Sequence, residues 1–292
     1  MKSVGVVLKH NLPVAAAARW YYTLRARPVE RLIFTATTGR SGTLTIAKIF
    51  AGMPGCCAVH EPNPIMNDEA LRAASYGDEN ALSCFYRIKS INILQAAVGY
   101  RYYFEANHLF IKTFIAHAVR DFGKRLAVIH LVRPPVEVAM SIYRLQDQPG
   151  TESGNRWWLD YRAPSNRIRI ADALDGEEFS HPFYKALWYW FEIETRVREW
   201  RQRLPAVPFV RFETDWLNDP ERLFSLAFTL GVAVDRAQID SQVGVNAHGR
   251  HQQKMIAPLP QDEAYGMLEH FMVLLQRRCP GIPVGFARPK TR

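Results

Sequence analysis

Short apolar runs alternate along this chain with longer stretches of helical periodicity. The runs are rich in β-branched and aromatic residues and contain few polar residues, a pattern typical of strands buried on both faces. The predicted strands are Leu32–Thr37, Cys56–His60, Tyr102–Glu105, Leu126–Val132 and Pro208–Phe212. Because each run precedes a helical segment, the order predicts an α/β fold in which helices flank a parallel β-sheet.

Apolar positions at helical spacing predict the connecting elements. The predicted helices are Val14–Arg27, Thr43–Ala51, Asn80–Val98, Leu109–Phe122, Val136–Leu145, Pro182–Leu204, a helix from Asp219 to Leu230, and Asp262–Arg278. The clearest start signal is Asp219, an N-cap residue followed by proline at the first helical position.

The chain divides into an arm and a body. Residues 1–29 form an N-terminal arm whose basic helix carries Trp20, Tyr21 and Tyr22, and this helix either packs on the body or contacts an anionic membrane surface. Residues 30–292 form a single α/β domain. Within it, residues 147–180 lack a regular pattern and are predicted to be a lid or an insertion.

Composition narrows the class of partner. The 292 residues carry a formal charge of +9, which favours a polyanionic ligand. No predicted helix or strand face combines clustered Lys and Arg with aromatic residues, so nucleic acid is not expected. Four cysteines, two of them adjacent, provide neither a disulfide framework nor zinc-ligand spacing, so no metal site is predicted. No apolar stretch approaches the ~18 residues of a membrane span, and a cytoplasmic location is expected.

A first chemical motif follows the first strand. Thr38, Gly39, Arg40, Ser41, Gly42 and Thr43 form a tight turn that leads into a helix. The two glycines allow the backbone to curl so that N–H groups converge, and the helix N-terminus adds its positive end, which together form an anion cradle. Arg40 adds a permanent cation that can bind two oxygens at once.

The turn departs from the loop of nucleotide triphosphatases, G-x-x-x-x-G-K-S/T. Thr37 replaces the first glycine, Thr43 replaces the lysine, and Leu44 replaces the metal-binding hydroxyl. The cradle therefore suits a phosphate but lacks the usual magnesium ligand.

A second motif lies at the end of the fourth strand. Arg133 ends this strand, and Ser141 follows in the next helix. A fixed cation and a hydroxyl at this junction can bind a second phosphate. The alternative is structural: Arg133 pairs with Glu137, and Ser141 bonds to its own helix.

Together the two motifs resemble those of sulfotransferases that use 3′-phosphoadenosine 5′-phosphosulfate (PAPS). Residues 38–43 are similar to the family's 5′-phosphosulfate loop. Residues 131–141 are similar to its 3′-phosphate motif, with Pro134 where the family has Asp or Asn. A weaker likeness covers residues 209–231, and Asn246–Arg250 stands in for the family's donor-closing loop without its R-K-G pattern.

The resemblance implies a P-loop-like sulfotransferase fold and transfer of a sulfuryl group to a hydroxyl without a metal. Arg40 would neutralise the leaving phosphate, while Arg133 and Ser141 would bind the 3′-phosphate. The acceptor is expected to be a carbohydrate or a glycolipid. Trp157 and Trp158 are candidate acceptor contacts, with Arg156, Arg162, Arg167 and Arg169 nearby for an anionic acceptor.

Such a reaction needs a base at the carboxyl edge of the sheet. Glu61 is the first candidate and His60 the second, at the end of the second strand. Glu105 and His108, at the end of the third strand, are alternatives that would orient or deprotonate the acceptor. Lys112 is interpreted as a solvated helix residue, and the aromatic run from Trp188 to Phe191 as core packing.

Two other functions remain open. One is a non-catalytic protein that binds nucleotides or polyanions with the same cradle. The other is a P-loop kinase or triphosphatase, which the replaced lysine and hydroxyl disfavour. The sequence does not predict an oligomeric state.

Overall fold

The computed structural model describes residues 12–244 and 256–285, and within them five parallel strands lie between layers of helices. The strands are β1 (Arg31–Ala36), β2 (Cys56–His60), β3 (Tyr102–Ala106), β4 (Leu126–Val132) and β5 (Phe209–Glu213). The helices are α1 (Leu12–Arg25), α2 (Thr43–Ala51), α3 (Glu69–Tyr76), α4 (Glu79–Ala97), α5 (Ile115–Phe122), α6 (Pro135–Tyr143), α7 (Glu152–Asn155), α8 (Ala171–Asp175), α9 (Pro182–Arg203), α10 (Pro220–Leu230), α11 (Arg236–Asp240) and α12 (Gln261–Arg278). The predicted α/β fold with a parallel, helix-flanked sheet is confirmed.

The strand order creates a crevice at one edge of the sheet. The order is β2-β3-β1-β4-β5, so the chain leaves β1 towards one side and β4 towards the other. β1 and β4 are neighbours, with Ala36 opposite His130 near their carboxyl ends. In sheets of this kind, ligands bind beyond the carboxyl ends of the strands where the connections diverge.

Both faces of the sheet are covered, which explains the continuous apolar runs. Leu32 and Phe34 of β1 belong to one buried cluster, whereas Ile33 between them belongs to the cluster on the opposite face. Since side chains alternate along a strand, a predominantly apolar run is needed to fill both cores.

Every predicted strand and helix has a counterpart in the structure, but four short helices were not predicted and one predicted helix starts differently. The helix α3 was not predicted, because its residues follow a segment interrupted by Pro62 and Pro64. The short helix α11 was also missed. The predicted helix over 109–122 starts as a π-helical turn, Phe110–Phe114, before α5.

Residues 147–180 are largely irregular, as predicted, but they contain the short helices α7 and α8, which were not predicted. The segment also contributes apolar side chains to the core. Leu159, Ile168 and Leu174 are fully buried. The segment therefore packs as part of the body, and a role as a lid stays a prediction.

The helix of the N-terminal arm packs on the body through one face. Ala15 is fully buried, and Arg19 forms an ion pair with Asp121 at 2.8 Å. Trp20 and Tyr21 remain exposed. Across the described ranges, no helix is long and apolar enough to cross a membrane.

Candidate active site

The loop between β1 and α2 has the conformation of an anion cradle. Gly39, Arg40 and Gly42 all have positive φ, at 81°, 57° and 80°. Among the described residues, no side chain caps the N-terminus of α2, whose first N–H groups have no acceptor within the helix. A Cβ atom at position 42 would lie 2.7 Å from Leu217 Cδ1, so the loop requires glycine there for space as well as for φ.

Side chains within and beyond the loop hold this shape. The hydroxyls of Thr38 and Ser41 both donate to the Gly39 carbonyl, at 2.8 and 2.9 Å. The Thr214 hydroxyl, just after β5, lies 3.1 Å from the Ser41 carbonyl. Tyr189 of α9 donates its hydroxyl hydrogen to the Thr38 carbonyl at 2.7 Å. The cradle is thus fixed by two distant parts of the chain, which makes it preorganised for a ligand.

The second motif meets the first at the crevice between β1 and β4. Arg40 Nε donates to Ser141 Oγ at 3.0 Å, and Arg133 Nη1 donates to the Arg40 carbonyl at 2.8 Å. Arg133 Nε also pairs with Glu137 Oε2 at 2.9 Å, so the structural alternative for Arg133 is observed alongside the contact with the loop. The two predicted phosphate-binding corners therefore adjoin and face one region.

Two guanidinium groups consequently lie close together. Burial lowers the pKa of Arg40, and the like charge of Arg133 lowers it further, while the carboxylates of Asp147 and Glu61 oppose the shift. A guanidinium nevertheless keeps its proton at any pH at which the protein folds. The corner therefore carries fixed positive charge that an anionic ligand would neutralise.

Glu61 and His60, the first two base candidates, follow β2 beside the cradle. Glu61 has a φ of 45°, which for a residue with a side chain indicates local strain. Its side chain is 21% exposed and therefore reachable. Burial raises the pKa of the Glu61 carboxyl, and the charges of His60 and Lys112 oppose that shift. His60 Nε2 is 3.0 Å from Thr43 Oγ1, which ties His60 to the first turn of α2.

His108 lies behind Glu61, with Nε2 3.5 Å from Glu61 Oε1. Burial, and then the charge of Lys112, hold the pKa of His108 well below its ordinary value, so the ring is neutral. The ring also lies beneath the loop, because a Cβ atom at position 39 would be 3.2 Å from His108 Cγ.

The interpretation of Lys112 as a solvated residue is wrong. Lys112 is 4% exposed. Its Nζ lies 2.8 Å from His108 Nδ1, 2.7 Å from the Trp157 carbonyl and 2.9 Å from Tyr189 Oη. Lys112 lies in the π-helical turn 110–114, all of whose residues are buried. The sequence predicted a regular α-helix here, and that pattern did not indicate that Lys112 would be buried.

Glu105 occupies a closed network instead of the cleft. The carboxylate is fully buried and lies 2.7 Å from Lys89 Nζ. It also accepts hydrogen bonds from Tyr103 Oη at 2.7 Å and Asn107 Nδ2 at 2.9 Å. Each oxygen is therefore satisfied away from solvent, a typical arrangement for a structural carboxylate.

A cleft of about 580 Å³ lies on the far side of Trp158 from His108, and Glu61 is not among the residues that line it. Trp158 lies on its wall, and the Trp158 ring also packs against His108 at 5.1 Å between centroids. The charged side chains that line the cleft are Asp68, Glu69, Glu152, Asp160, Arg72 and Arg156. Carboxylates thus outnumber guanidinium groups along the walls.

The four arginines predicted near an anionic acceptor form ion pairs or hydrogen bonds with other residues of the protein. Arg156 pairs with Asp68, Arg162 with Asp175, and Arg167 with Glu199. Arg169 donates to the carbonyls of Asn166 and Pro164. These pairings fold the 147–180 segment onto itself and onto its neighbours.

The aromatic run on α9 is buried, as predicted, but two members also reach the site. Tyr189 binds Lys112 and the Thr38 carbonyl, and Trp190 Nε1 donates to the Arg133 carbonyl at 2.9 Å. Sequence reasoning missed both roles, since no local pattern links residues 151 and 57 positions apart. Asn246–Arg250, the proposed donor-closing loop, lies outside the described residues.

Comparison with solved structures finds a likeness in fold. No protein family matches the chain, and no curated protein does. The chain is similar to the crystal structure of a sulfotransferase from Mycobacterium tuberculosis, with a TM-score of 0.49 and 14% sequence identity, covering 88% of this chain and 80% of that one. At this level of similarity, the function must be argued from the site itself.

Proposed function

We propose that the protein is a sulfotransferase that moves a sulfuryl group from PAPS to a hydroxyl acceptor. The observation that carries this proposal is the junction of the two anion-binding corners, where Arg40 contacts Ser141 and Arg133 contacts the Arg40 carbonyl. A ligand that fills both corners needs two separate anionic ends. PAPS has a 5′-phosphosulfate and a 3′-phosphate on one ribose.

The residues present suit this donor. The first turn of α2, Gly42 and Arg40 would bind the 5′-phosphosulfate, as helix N-termini and guanidinium groups bind phosphate oxygens elsewhere. Arg133 and Ser141 would bind the 3′-phosphate.

The transfer requires positioning, charge neutralisation and a base. The acceptor oxygen attacks sulfur, the acceptor O–S bond forms, and the bond from sulfur to the phosphate oxygen breaks. The electron pair leaves with that oxygen, where Arg40 neutralises the developing charge. The proton of the acceptor hydroxyl passes to the Glu61 carboxylate. Metal independence follows the family resemblance and is itself a prediction.

Glu61 is the best placed of the four base candidates. Its side chain is 21% exposed, whereas the Glu105 carboxylate is buried and contacted by Lys89, Tyr103 and Asn107. The raised pKa of Glu61 also brings the carboxylate closer to the operating pH, as general base catalysis favours. His108 would orient Glu61, and His60 would fix the start of α2.

The cleft beside Trp158 would hold the acceptor. Its walls carry more carboxylates than guanidinium groups, so an anionic acceptor is disfavoured. An aromatic wall with hydrogen-bonding groups suits the rings and hydroxyls of a saccharide, including the saccharide of a glycolipid. We therefore propose a neutral saccharide acceptor rather than a sulfated or carboxylated one.

The competing functions predict different measurements. A non-catalytic binder would bind 3′-phosphoadenosine 5′-phosphate (PAP) without transferring labelled sulfate from PAPS. A kinase or triphosphatase would turn over ATP with magnesium.

The test is transfer of labelled sulfate from PAPS across a panel of neutral and anionic saccharides, with and without a chelator. The proposal is supported if wild type transfers sulfate and Arg40→Ala does so at least about a hundredfold more slowly. Arg211→Ala is a matched control on the edge strand β5, where Arg211 pairs with Glu213. Wild-type transfer in Arg40→Ala would reject the assignment of Arg40, and absence of transfer with PAP binding intact would favour the binder.

A further inference from the structure

Lys112 is a buried basic group that the transfer step does not use directly. Its Nζ has three neighbours at hydrogen-bond distance: the Trp157 carbonyl, Tyr189 Oη and His108 Nδ1. The ammonium also lies over the Trp158 and Tyr189 rings, 5.3 Å from each centroid. A lysine held this closely fixes the hydrogen-bond pattern around it.

Two of the three contacts have only one possible direction. A carbonyl oxygen accepts and never donates, so Lys112 donates to Trp157. Tyr189 uses its one hydroxyl hydrogen on the Thr38 carbonyl, so Tyr189 Oη must accept from Lys112. Two hydrogens of Nζ are therefore assigned whatever the protonation state of the lysine.

The third contact depends on that protonation state. An ammonium has a third hydrogen to donate to His108 Nδ1, which places the imidazole hydrogen on Nε2. A neutral amine presents a lone pair, which requires the hydrogen to be on Nδ1. The charge of Lys112 thus selects the tautomer of His108.

The tautomer in turn acts on Glu61, whose Oε1 lies 3.5 Å from His108 Nε2. With the hydrogen on Nε2, the imidazole donates towards the carboxylate. With the hydrogen on Nδ1, the Nε2 lone pair would face the carboxylate, and Glu61 would have to turn away or bind a proton. Only the ammonium form of Lys112 therefore supports an oriented, ionised Glu61.

We propose that Lys112 is a positioning residue that, through the Nε2–H tautomer of His108, aims Glu61 as the base. This inference rests on the proposed function for the identity of the base, but the tautomer can be measured without any reaction.

The arrangement predicts a window of pH for activity. Burial lowers the pKa of Lys112 well below its ordinary value, with Arg196 as a further like charge and Glu61 opposing. The pKa of Glu61 is raised by burial, and the charged groups that face it are His60, Lys112, Glu105 and Lys89. Activity therefore falls on the acid side as Glu61 binds a proton, and on the alkaline side as Lys112 loses one.

Nuclear magnetic resonance of histidine-labelled wild type tests the tautomer directly. Among nine histidines, the His108 signals are assigned by comparison with His108→Asn. We expect the Nε2–H tautomer at neutral pH and a change to Nδ1–H at alkaline pH, with the same midpoint as the alkaline fall in kcat. The Nδ1–H tautomer at neutral pH, or no change on the alkaline side, would overturn the inference.

Lys112→Met gives the kinetic test, with Lys89→Met as a matched control because both lysines are buried. We expect Lys112→Met to bind PAP as the wild type does, to lose at least about tenfold in kcat, and to lose the alkaline fall. Lys89→Met should keep the alkaline fall. An alkaline fall that persists in Lys112→Met contradicts the role of Lys112, whereas the proposed function fails only if wild type transfers no sulfate.

A second inference concerns α1 and is independent of the reaction. Its outward face, the α1 outer face, consists of Val14, Ala17, Trp20, Tyr21 and Leu24. Trp20 is 67% exposed and Tyr21 50% exposed, although such side chains are usually covered. The first 29 residues carry five Lys and Arg and no Asp or Glu.

We infer that the α1 outer face docks on an anionic lipid surface. Apolar and aromatic side chains beside basic residues are the pattern of helices that lie in a membrane interface, and Trp and Tyr favour the headgroup level. Arg25 and Arg27, both exposed at the end of the helix, would meet the lipid phosphates.

Co-sedimentation with vesicles tests this docking. We expect binding to phosphatidylserine–phosphatidylcholine vesicles, weakening in high salt, and at least a tenfold loss of binding in Trp20→Ser/Tyr21→Ser. Phe228→Ser is the control, since Phe228 is 78% exposed elsewhere on the surface, and should bind as wild type does. Equal binding to pure phosphatidylcholine would overturn the inference. So would a dimer in light scattering that the double substitution dissociates.

Discussion

Two buried lysines lie near the carboxyl edge of this sheet, and they serve their carboxylates in different ways. Lys89 contacts Glu105 directly, at 2.7 Å, with both side chains almost fully buried. Lys112 reaches Glu61 only through His108, and Glu61 is 21% exposed. The same residue types thus form one closed ion pair and one relay that ends at a partly exposed carboxylate.

The difference lies in what surrounds each carboxylate. Glu105 is fully buried and has donors on both carboxylate oxygens. Among the described residues, the Glu61 side chain has one long polar contact, to His108, and its backbone is strained. Burial raises the pKa of its carboxyl. Full satisfaction is typical of a structural group, whereas a partly satisfied, accessible carboxylate is suited to accept a proton.

The largest expected effect separates the two carboxylates by activity. Glu61→Gln should reduce sulfate transfer by about 10²–10⁴-fold, the usual contribution of a general base, because glutamine cannot accept the proton. Glu105→Gln, measured on folded protein at the same temperature, should retain most activity. The reverse result would exchange their roles.

For stability we expect the opposite: substitutions at the Lys89–Glu105 pair should have larger effects than substitutions at Glu61. Lys89→Met leaves the buried Glu105 without its cation, which typically costs about 3–5 kcal/mol in the free energy of unfolding. Denaturant titration measures this loss. The double variant Lys89→Met/Glu105→Gln should recover much of it, because no buried charge remains unpaired. A loss below ~1 kcal/mol for Lys89→Met would show that the pair is not structural.

The pH dependence of stability isolates Glu61. Its pKa is raised in the folded protein above the ~4.3 of an unfolded chain. A carboxyl whose pKa is raised on folding contributes fully to stability at pH values below its pKa in the unfolded chain. That contribution is lost as the pH rises through its pKa in the folded protein. The stability of Glu61→Gln relative to wild type should therefore increase from acid to neutral pH. Thermal unfolding of both proteins across this range measures the difference. A constant difference across that range would contradict the raised pKa.

The smallest effect concerns the cleft. If Glu152 and Asp160 repel anionic acceptors, Glu152→Gln/Asp160→Asn should lower KM for an anionic saccharide by a few-fold. KM for a neutral saccharide should change less. An equal change for both would mean that the carboxylates do not select acceptors by charge.

The local sequence pattern was sufficient to predict most of the strands and helices. The bounds of β2, β4 and α2 agree with the prediction, because apolar runs, glycines and prolines delimit them within a few residues. Short helices such as α11 escaped, since five residues give no period to detect. The two phosphate motifs were predicted from residue type and spacing at strand ends, and the structure shows that they adjoin.

Contacts between distant elements were beyond sequence reasoning. Lys112 sits at a π-helical turn, which shifts its direction relative to the α-helix that its pattern predicted. Tyr189 was recognised as buried, but its hydrogen bond to Thr38 depends on how α9 crosses the sheet edge. Packing decides such contacts, and one sequence does not specify it.

The central claim is that one ligand fills both anion-binding corners. Calorimetric titration of wild type and Arg133→Ala with PAP and with adenosine 5′-monophosphate tests it most directly, with Glu137→Ala as the control that keeps Arg133. The ratio of the two dissociation constants cancels any loosening of the loop that weakens both ligands equally. The account predicts at least a tenfold preference for PAP in wild type and Glu137→Ala, and its loss in Arg133→Ala. An undiminished preference in Arg133→Ala, or none in wild type, would contradict it.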